Sequence, residues 1–251
     1  NNTNYTDVFM YTIGPLALGY FLFQLLKVSD KKVRQKLLAA LILIVFSILF
    51  FAIFEQAGGS LALFANNNLH HNLLFFNIDP NVVNNGANSL FVILFSPLLG
   101  ILWLALAKKK IEPNTVIKFG LGFLLLAVAY YIFYSTRFFA DENGKTSLSV
   151  FTVAYLAVTL GELCLSPIGL SMITKLSPKH LSGMMMGLWF LASAYGQYVA
   201  GLLGAGMSAP DENASLMTKL MGYTDGYQQL AIYSIVAGVL LLLLSPLVKK
   251  L

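Results

Sequence analysis

The chain has 251 residues, of which 57% are hydrophobic and only 11% are charged, and its formal net charge is +5. A soluble domain is about half apolar and about a quarter charged, so this composition excludes an ordinary soluble protein. The basic residues stand in short patches between apolar runs rather than along one face, which argues against binding to nucleic acid. Apolar runs of this length are typical of an integral membrane protein.

The apolar runs predict seven membrane-spanning helices in chain order. Each run is long enough to cross the lipid bilayer as a helix. The predicted spans are 8–26, 37–64, 82–107, 115–134, 148–174, 181–207 and 227–248. The first is short and contains Gly14-Pro15, which predicts a kink. The sixth is rich in small residues, with Gly183 and Gly187 in the spacing that favours close helix packing.

The connections between these spans alternate in charge, which predicts an orientation. Most lysines and arginines fall in the connections 27–36, 108–118 and 175–179 and in the end 249–250. Basic connections usually lie in the cytoplasm. We therefore expect a multi-pass protein of the cell membrane, with its amino end outside and its carboxyl end in the cytoplasm. The opening "NNTNYTD" lacks a methionine, so we also expect a fragment or one of two chains.

Two acids, Glu55 and Glu162, lie well inside predicted spans. Placing a charge at the bilayer centre costs at least ~2.5 kcal/mol, and the middle of no span offers a lysine or arginine as partner. At ~1.5 Å per residue, Glu162 and Ser193 lie at about the same depth, about 20 Å from the cytoplasmic ends. Glu55 and Asn88 lie at about 28–30 Å, and Trp189 at about 15 Å. These groups therefore indicate a polar cavity that can bind a proton or an ammonium group.

The remaining polar residues do not indicate an enzyme or a metal site. His70 and His71 are adjacent in a loop, without a cysteine or an acid beside them. A metal site needs several ligands that converge on one point, and a catalytic site needs a nucleophile with its base. We expect no metal, no cofactor other than a coupling proton, and no enzymatic activity.

Two stretches resemble the proton-dependent oligopeptide transporters of the major facilitator superfamily. "FAIFEQAGGSLALFANNN" looks like the seventh helix of that family. "GELCLSPIGLSMITKLSPKHLSGMMMGLWFLASAYGQYVAG", at 161–201, resembles its tenth and eleventh helices. The resemblance covers nearly all of this chain but only the carboxyl-terminal half of such a transporter. It implies an all-α membrane fold, with an extra membrane helix and cytoplasmic linker at 1–36 and a six-helix transmembrane bundle at 37–251.

The resemblance also implies a role for each of the five residues whose depths were compared above. Glu162 resembles the acid that receives the amino terminus of a peptide, and Asn88 resembles its partner on the eighth helix. Trp189 and Ser193 are similar to a pocket wall and a polar contact, and Glu55 looks like the acid that couples transport to protons. The family commonly has Asn-Pro where this chain has Asn88-Ser89, so the bend expected there is in question.

The function implied is proton-coupled symport of di- and tripeptides by alternating access. The complete site would need the amino-terminal six-helix bundle as partner, because that bundle supplies the bases for the peptide carboxylate. Two alternatives stay open at this point. The substrate could be nitrate or another small solute, or the chain could be a non-transporting structural subunit of the membrane.

Overall fold

A computed structural model describes residues 3–207 and 214–250 of the chain, almost all of them helical. Two short antiparallel strands, β1 (Asn72–Leu73) and β2 (Phe76–Asn77), form a hairpin. Eight α-helices account for most of the rest: α1 (Thr3–Lys27), α2 (Lys31–Phe54), α3 (Ser60–Asn68), α4 (Pro80–Lys108), α5 (Thr115–Ser135), α6 (Leu148–Leu176), α7 (Ser182–Met207) and α8 (Leu216–Lys250).

The long helices begin where polar side chains can satisfy the free N–H groups of a first turn. Asp30 accepts a hydrogen bond from the N–H of Lys32 before α2, and Asp79 precedes α4, whose first residue is Pro80. Asn114 accepts one from Ile117 at the start of α5. Helices α4 and α5 start at or close to the predicted positions 82 and 115, whereas α2 starts at Lys31, inside the basic connection 27–36 and before the predicted position 37.

Six segments of the described chain are long and apolar enough to cross a membrane. They correspond to six of the seven predicted spans, and α2 and α3 together form one of them. Helix α7 matches the remaining span in position and has 26 residues, but it is not among the six. Its glycines, together with Ser193 and Gln197, lower the hydropathy of a helix that still has the necessary length.

The span predicted at 37–64 is not one continuous helix. Helix α2 ends at Phe54, a 3₁₀ turn covers Glu55–Gly58, and α3 starts at Ser60. The side chain of Gln56 holds this break, because its amide donates to the carbonyl of Ala200 on α7 at 3.0 Å. The same side chain accepts a hydrogen bond from the Ser60 hydroxyl at 2.7 Å. The break therefore places Glu55 in a turn between two helices and ties that turn to α7.

Close packing among α5, α6 and α8 forms the centre of the bundle. A methyl group added at Gly122 on α5 would lie 2.9 Å from the carbonyl oxygen of Gly161 on α6. One added at Gly238 on α8 would lie 3.1 Å from the carbonyl oxygen of Gly120 on α5. The interior of the bundle also holds fully buried aromatic rings: Phe64, Phe119, Phe123, Phe133, Phe151, Tyr130, Tyr155 and Tyr227.

Helices α1 and α4 lie at the margins of the bundle. Helix α1 contacts α7 through Tyr198, whose hydroxyl donates to Asp7 at 2.5 Å, and through Tyr195, which donates to the carbonyl of Met10. The most apolar stretch of α4 has no buried residue, and Ile93 is 71% exposed. An apolar helix with so little cover presents a broad surface to lipid or to another helical unit.

Candidate functional site

A cleft at the helix break contains three of the five residues that the sequence singled out. It has a volume of about 280 Å³ and lies between the break, α4 and α6. Glu55 enters from the break, Asn88 from α4 and Glu162 from α6. The rest of the lining is Phe54, Ala57, Gly58, Asn84, Asn85, Ser89, Tyr155 and Val158. Two carboxyl groups thus share a small, largely polar cleft within the membrane-spanning part of the chain.

Glu162 and Asn88 are directly joined. The side-chain amide of Asn88 donates to Oε2 of Glu162 at 3.0 Å, which connects α4 to α6. No hydrogen bond from a described residue reaches the other carboxylate oxygen. Both side chains are half-buried, so this carboxyl group is oriented on one side and can still accept a donor from a ligand. A protonated amine is the ligand that suits such a group best.

Glu55 has a different environment from Glu162. Its Oε1 accepts a hydrogen bond of 3.3 Å from Gln197 on α7, and its side chain is half-buried at the break. The three ion pairs among the described residues are His70–Asp141, Lys118–Glu112 and Arg137–Asp225. Neither cleft acid belongs to them. Both carboxyl groups are therefore available for a proton or a cation that enters the cleft.

Trp189 and Ser193 are not in this cleft. Trp189 is only 4% exposed and packs edge-on against Phe51 and Phe119 in the interior of the bundle. Ser193, one turn further along α7, is half-buried, and its hydroxyl has no hydrogen-bond partner among the described residues. The substrate contacts expected for these two residues stay predictions. The other three residues, Glu55, Asn88 and Glu162, line the same cleft.

The depths counted along the sequence did not single out Asn84, although this residue lines the cleft. Its side-chain amide donates to the carbonyl of Ala57 at 2.9 Å, and its oxygen accepts a hydrogen bond of 2.5 Å from the Tyr155 hydroxyl. Asn84 is 2% exposed. A sequence signal was present, because Asn84 and Asn88 are one helical turn apart in the polar first third of α4, whose remainder is mostly apolar.

A second cavity lies near the opposite ends of α4 and α6. Its volume is about 470 Å³, and it includes Trp103 and the start of α5. There the ammonium group of Lys118 contacts Glu112 at 2.5 Å and lies 4.5 Å from the centre of the Trp103 ring. Lys118 is 7% exposed and already has both an anion and an aromatic face as partners. This cavity is therefore separate from the predicted site, and the charge of its buried lysine is already paired.

Comparisons with known proteins identify the family of the chain. A model described as "POT family" (PTR2) matches residues 3–220. "Peptide transporter YePEPT" of Yersinia enterocolitica subsp. palearctica serotype O:3 (strain YE-P4) is 39% identical over 207 residues, which are 81% of this chain and 40% of that protein. "Dipeptide and tripeptide permease B" of Photorhabdus luminescens is 30% identical over 251 residues, all of this chain and 51% of that protein.

Solved structures give the same result for the fold. The crystal structure of tetrameric PepTSo2 has a TM-score of 0.82 and 30% identity, and the match covers 100% of this chain and 50% of that one. The chain belongs to the POT family. Its fold is an all-α integral membrane fold of the major facilitator type, with the six-helix bundle of the second half and one extra amino-terminal helix. The chain spans about half the length of the curated relatives it matches.

Proposed function

We propose that this chain acts as the carboxyl-terminal half of a proton-coupled symporter of di- and tripeptides. The observation that carries the proposal is the cleft that holds Glu55, Asn88 and Glu162 between the helix break, α4 and α6. Two relatives bear the names of a peptide transporter and of a dipeptide and tripeptide permease, which supports the substrate class.

Glu162 is the group that receives the amino terminus of the peptide. A carboxylate held by one hydrogen bond from Asn88 keeps an oxygen for the charged N–H groups of an ammonium ion. Asn88 retains its own amide oxygen, which can accept a hydrogen bond from the amine or the first peptide N–H. A short peptide is a zwitterion, so the opposite end of the site needs basic groups. The amino-terminal bundle would supply them.

Glu55 is the group that takes up and releases the coupling proton. It lies in the turn between α2 and α3, and its contact with Gln197 joins this turn to α7. Protonation removes its negative charge, which weakens the hydrogen bond from Gln197 and any attraction to a cation in the other half. A change of charge at a helix break can in this way bias the rocking of two bundles about a midplane site.

The apolar surface of α4 is the natural contact for the amino-terminal bundle. That surface has no buried residue along its most apolar stretch, and α4 also forms one wall of the cleft. Burial of exposed apolar surface against a second helical bundle would also close the cleft into a cavity. In this arrangement the amino end of the chain lies outside the cell membrane and the carboxyl end in the cytoplasm, as the basic connections suggest.

The experiment is uptake of a labelled dipeptide into proteoliposomes under an imposed proton gradient. It uses the complete transporter that contains this chain, with Glu162→Gln, Glu55→Gln and, as a matched control, Glu142→Gln in an exposed loop. We expect Glu162→Gln to raise KM at least tenfold, the cost of one charge-assisted hydrogen bond of about 1.4 kcal/mol or more. Glu55→Gln should abolish gradient-driven accumulation and leave counterflow exchange.

Two outcomes would overturn the proposal. If both cleft variants behave like Glu142→Gln, the acids are structural and the cleft is not the site. If the unmodified transporter takes up another small solute but no dipeptide, the substrate class is wrong even though the fold and the family stand.

A further inference from the structure

Asn84 joins the three segments that carry the acids and the amide of the cleft. Its side-chain amide donates a hydrogen bond to the carbonyl of Ala57, which lies two residues after Glu55. Its side-chain oxygen accepts a hydrogen bond from the hydroxyl of Tyr155. Tyr155 lies two helical turns before Glu162 on α6. Asn84 itself lies one turn before Asn88 on α4. One side chain therefore bonds the helix break to α4 and α4 to α6.

The hydrogen bond from Asn84 to Ala57 satisfies a backbone carbonyl that the helix break leaves without its helical partner. A helix that breaks inside a membrane frees carbonyl groups that water does not reach, and each needs a donor from the protein. The break at Glu55–Gly58 frees such groups at the position that carries Glu55. The amide of Asn84 supplies one donor at 2.9 Å, so the position of the turn depends on α4 as well as on the glycines that follow it.

The contact to Tyr155 forms a second connection between α4 and α6, beside the one from Asn88 to Glu162. These hydrogen bonds measure 2.5 Å and 3.0 Å. Asn84 and Tyr155 are 2% and 1% exposed, so neither presents its polar atoms to a molecule in the cleft. The amide nitrogen and the oxygen of Asn84 each have a protein partner, and the side chain is almost fully buried. Its influence on a ligand therefore has to pass through the groups it holds.

We infer that Asn84 is a positioning residue that sets the geometry of Glu55 relative to Asn88 and Glu162, and so links the proton site to the substrate site. The inference rests on the proposed function for its transport readouts. It goes beyond that function because it assigns the link between the two acids to a buried amide that contacts neither substrate nor proton. Movement of the break on protonation of Glu55 is transmitted through Asn84 to α4 and α6.

The test compares Asn84→Leu, which has a similar shape and no hydrogen bonds, with Tyr155→Phe, which removes only the α6 contact. Asn66→Leu, on the exposed side of α3, is the matched control. Asn84→Leu loses both the bond to Ala57 and the bond from Tyr155. We expect the KM for a dipeptide to rise about five- to tenfold in this variant and the pH profile of uptake to shift. Tyr155→Phe should raise KM by a smaller factor and leave the pH profile unchanged.

Different results distinguish the possible roles. If Asn84→Leu raises KM while Tyr155→Phe does not change it, the contact from Asn84 to α6 does not position the substrate site and the inference is wrong. The inference also fails if Asn84→Leu lowers only the melting temperature and leaves KM and the pH profile as in the unmodified protein. The double variant should be no worse than Asn84→Leu, because both changes remove the same contact.

Amide hydrogen exchange supplies a readout that does not depend on transport. Loss of the bond to Ala57 should accelerate exchange in the peptide that covers 55–60 for Asn84→Leu, and Tyr155→Phe should leave that peptide as in the unmodified protein. If no dipeptide is transported but this acceleration is observed, the proposed function fails and the positioning role stands. Unchanged exchange at 55–60 would overturn the positioning role even in an active transporter.

Discussion

Substitution of Gly169 by alanine should destabilise the bundle, because Trp189 occupies the space beside this glycine. A methyl group at Gly169 would lie 2.1 Å from Cη2 of Trp189 and 2.8 Å from Cζ of Phe119. Carbon atoms in good contact are about 3.5–4.0 Å apart, so the indole would have to move by about 1.5 Å. Both rings are almost fully buried. Overpacking of this kind costs about 1–3 kcal/mol.

The measurement is the free energy of unfolding in mixed micelles for Gly169→Ala, Trp189→Phe and the double variant. Phenylalanine lacks the outer indole atoms that meet Gly169, so it leaves room for the new methyl group. We expect the double variant to be more stable than the sum of the single effects predicts, by about 1–2 kcal/mol. Gly19→Ala is the control, because a methyl group added at Gly19 would have nothing within 4 Å of it.

The control should be neutral or stabilising by up to about 1 kcal/mol, since glycine is a poor helix former. If Gly169→Ala behaves like this control, or if the two single effects simply add, Trp189 does not rest on Gly169 in the folded protein. The indole would then be free to turn toward the cleft, as the resemblance to the family implies for a residue of the pocket wall. The stability measurement thus also bears on the assignment of Trp189 to the substrate site.

Three further changes test the fold. Gly144→Ala should lower the free energy of unfolding by about 1–2 kcal/mol, because Gly144 has φ of 72° and a residue with a Cβ is strained by that amount in this conformation. An unchanged melting temperature in thermal unfolding would contradict this expectation. Tyr130→Phe should cost about 1 kcal/mol through its lost 2.6 Å bond to the carbonyl of Ile53, and a stability gain would refute the bond. Arg137→Gln should cost less than about 1 kcal/mol, because Asp225 is 60% exposed, and the loss should shrink in high salt.

The sequence predicts the fold well because hydropathy and length decide where a chain crosses the bilayer. Six of the seven predicted spans appear as segments that are long and apolar enough, and the seventh appears as a helix of sufficient length. The break between α2 and α3 was not predicted, because a glycine pair after an acid does not by itself end a helix. It depends on Gln56, whose partner on α7 lies 144 positions further along the chain.

The sequence predicted only in part which residues lie together in the site. Counting residues from the cytoplasmic ends separates Asn88 from Glu162 by about 8–10 Å in depth. The structure shows a direct hydrogen bond of 3.0 Å between them. Counting assumes that all helices end at one level and run parallel, and tilted helices meet neither condition. The inward packing of Trp189 was also not predictable, because it depends on the space that Gly169 leaves on another helix.

The carboxyl group of Glu55 stands in one of the most apolar parts of the chain because the helix ends there. A continuous helix satisfies its own backbone groups and needs no polar neighbour, whereas a broken helix gathers donors around the carbonyls that it frees. Asn84 and Gln56 are such donors, and their amides make the surroundings of Glu55 polar. The polar cleft at Glu55 and the bend in the chain are thus consequences of one interruption, which supplies a physical basis for the coupling that we propose between them.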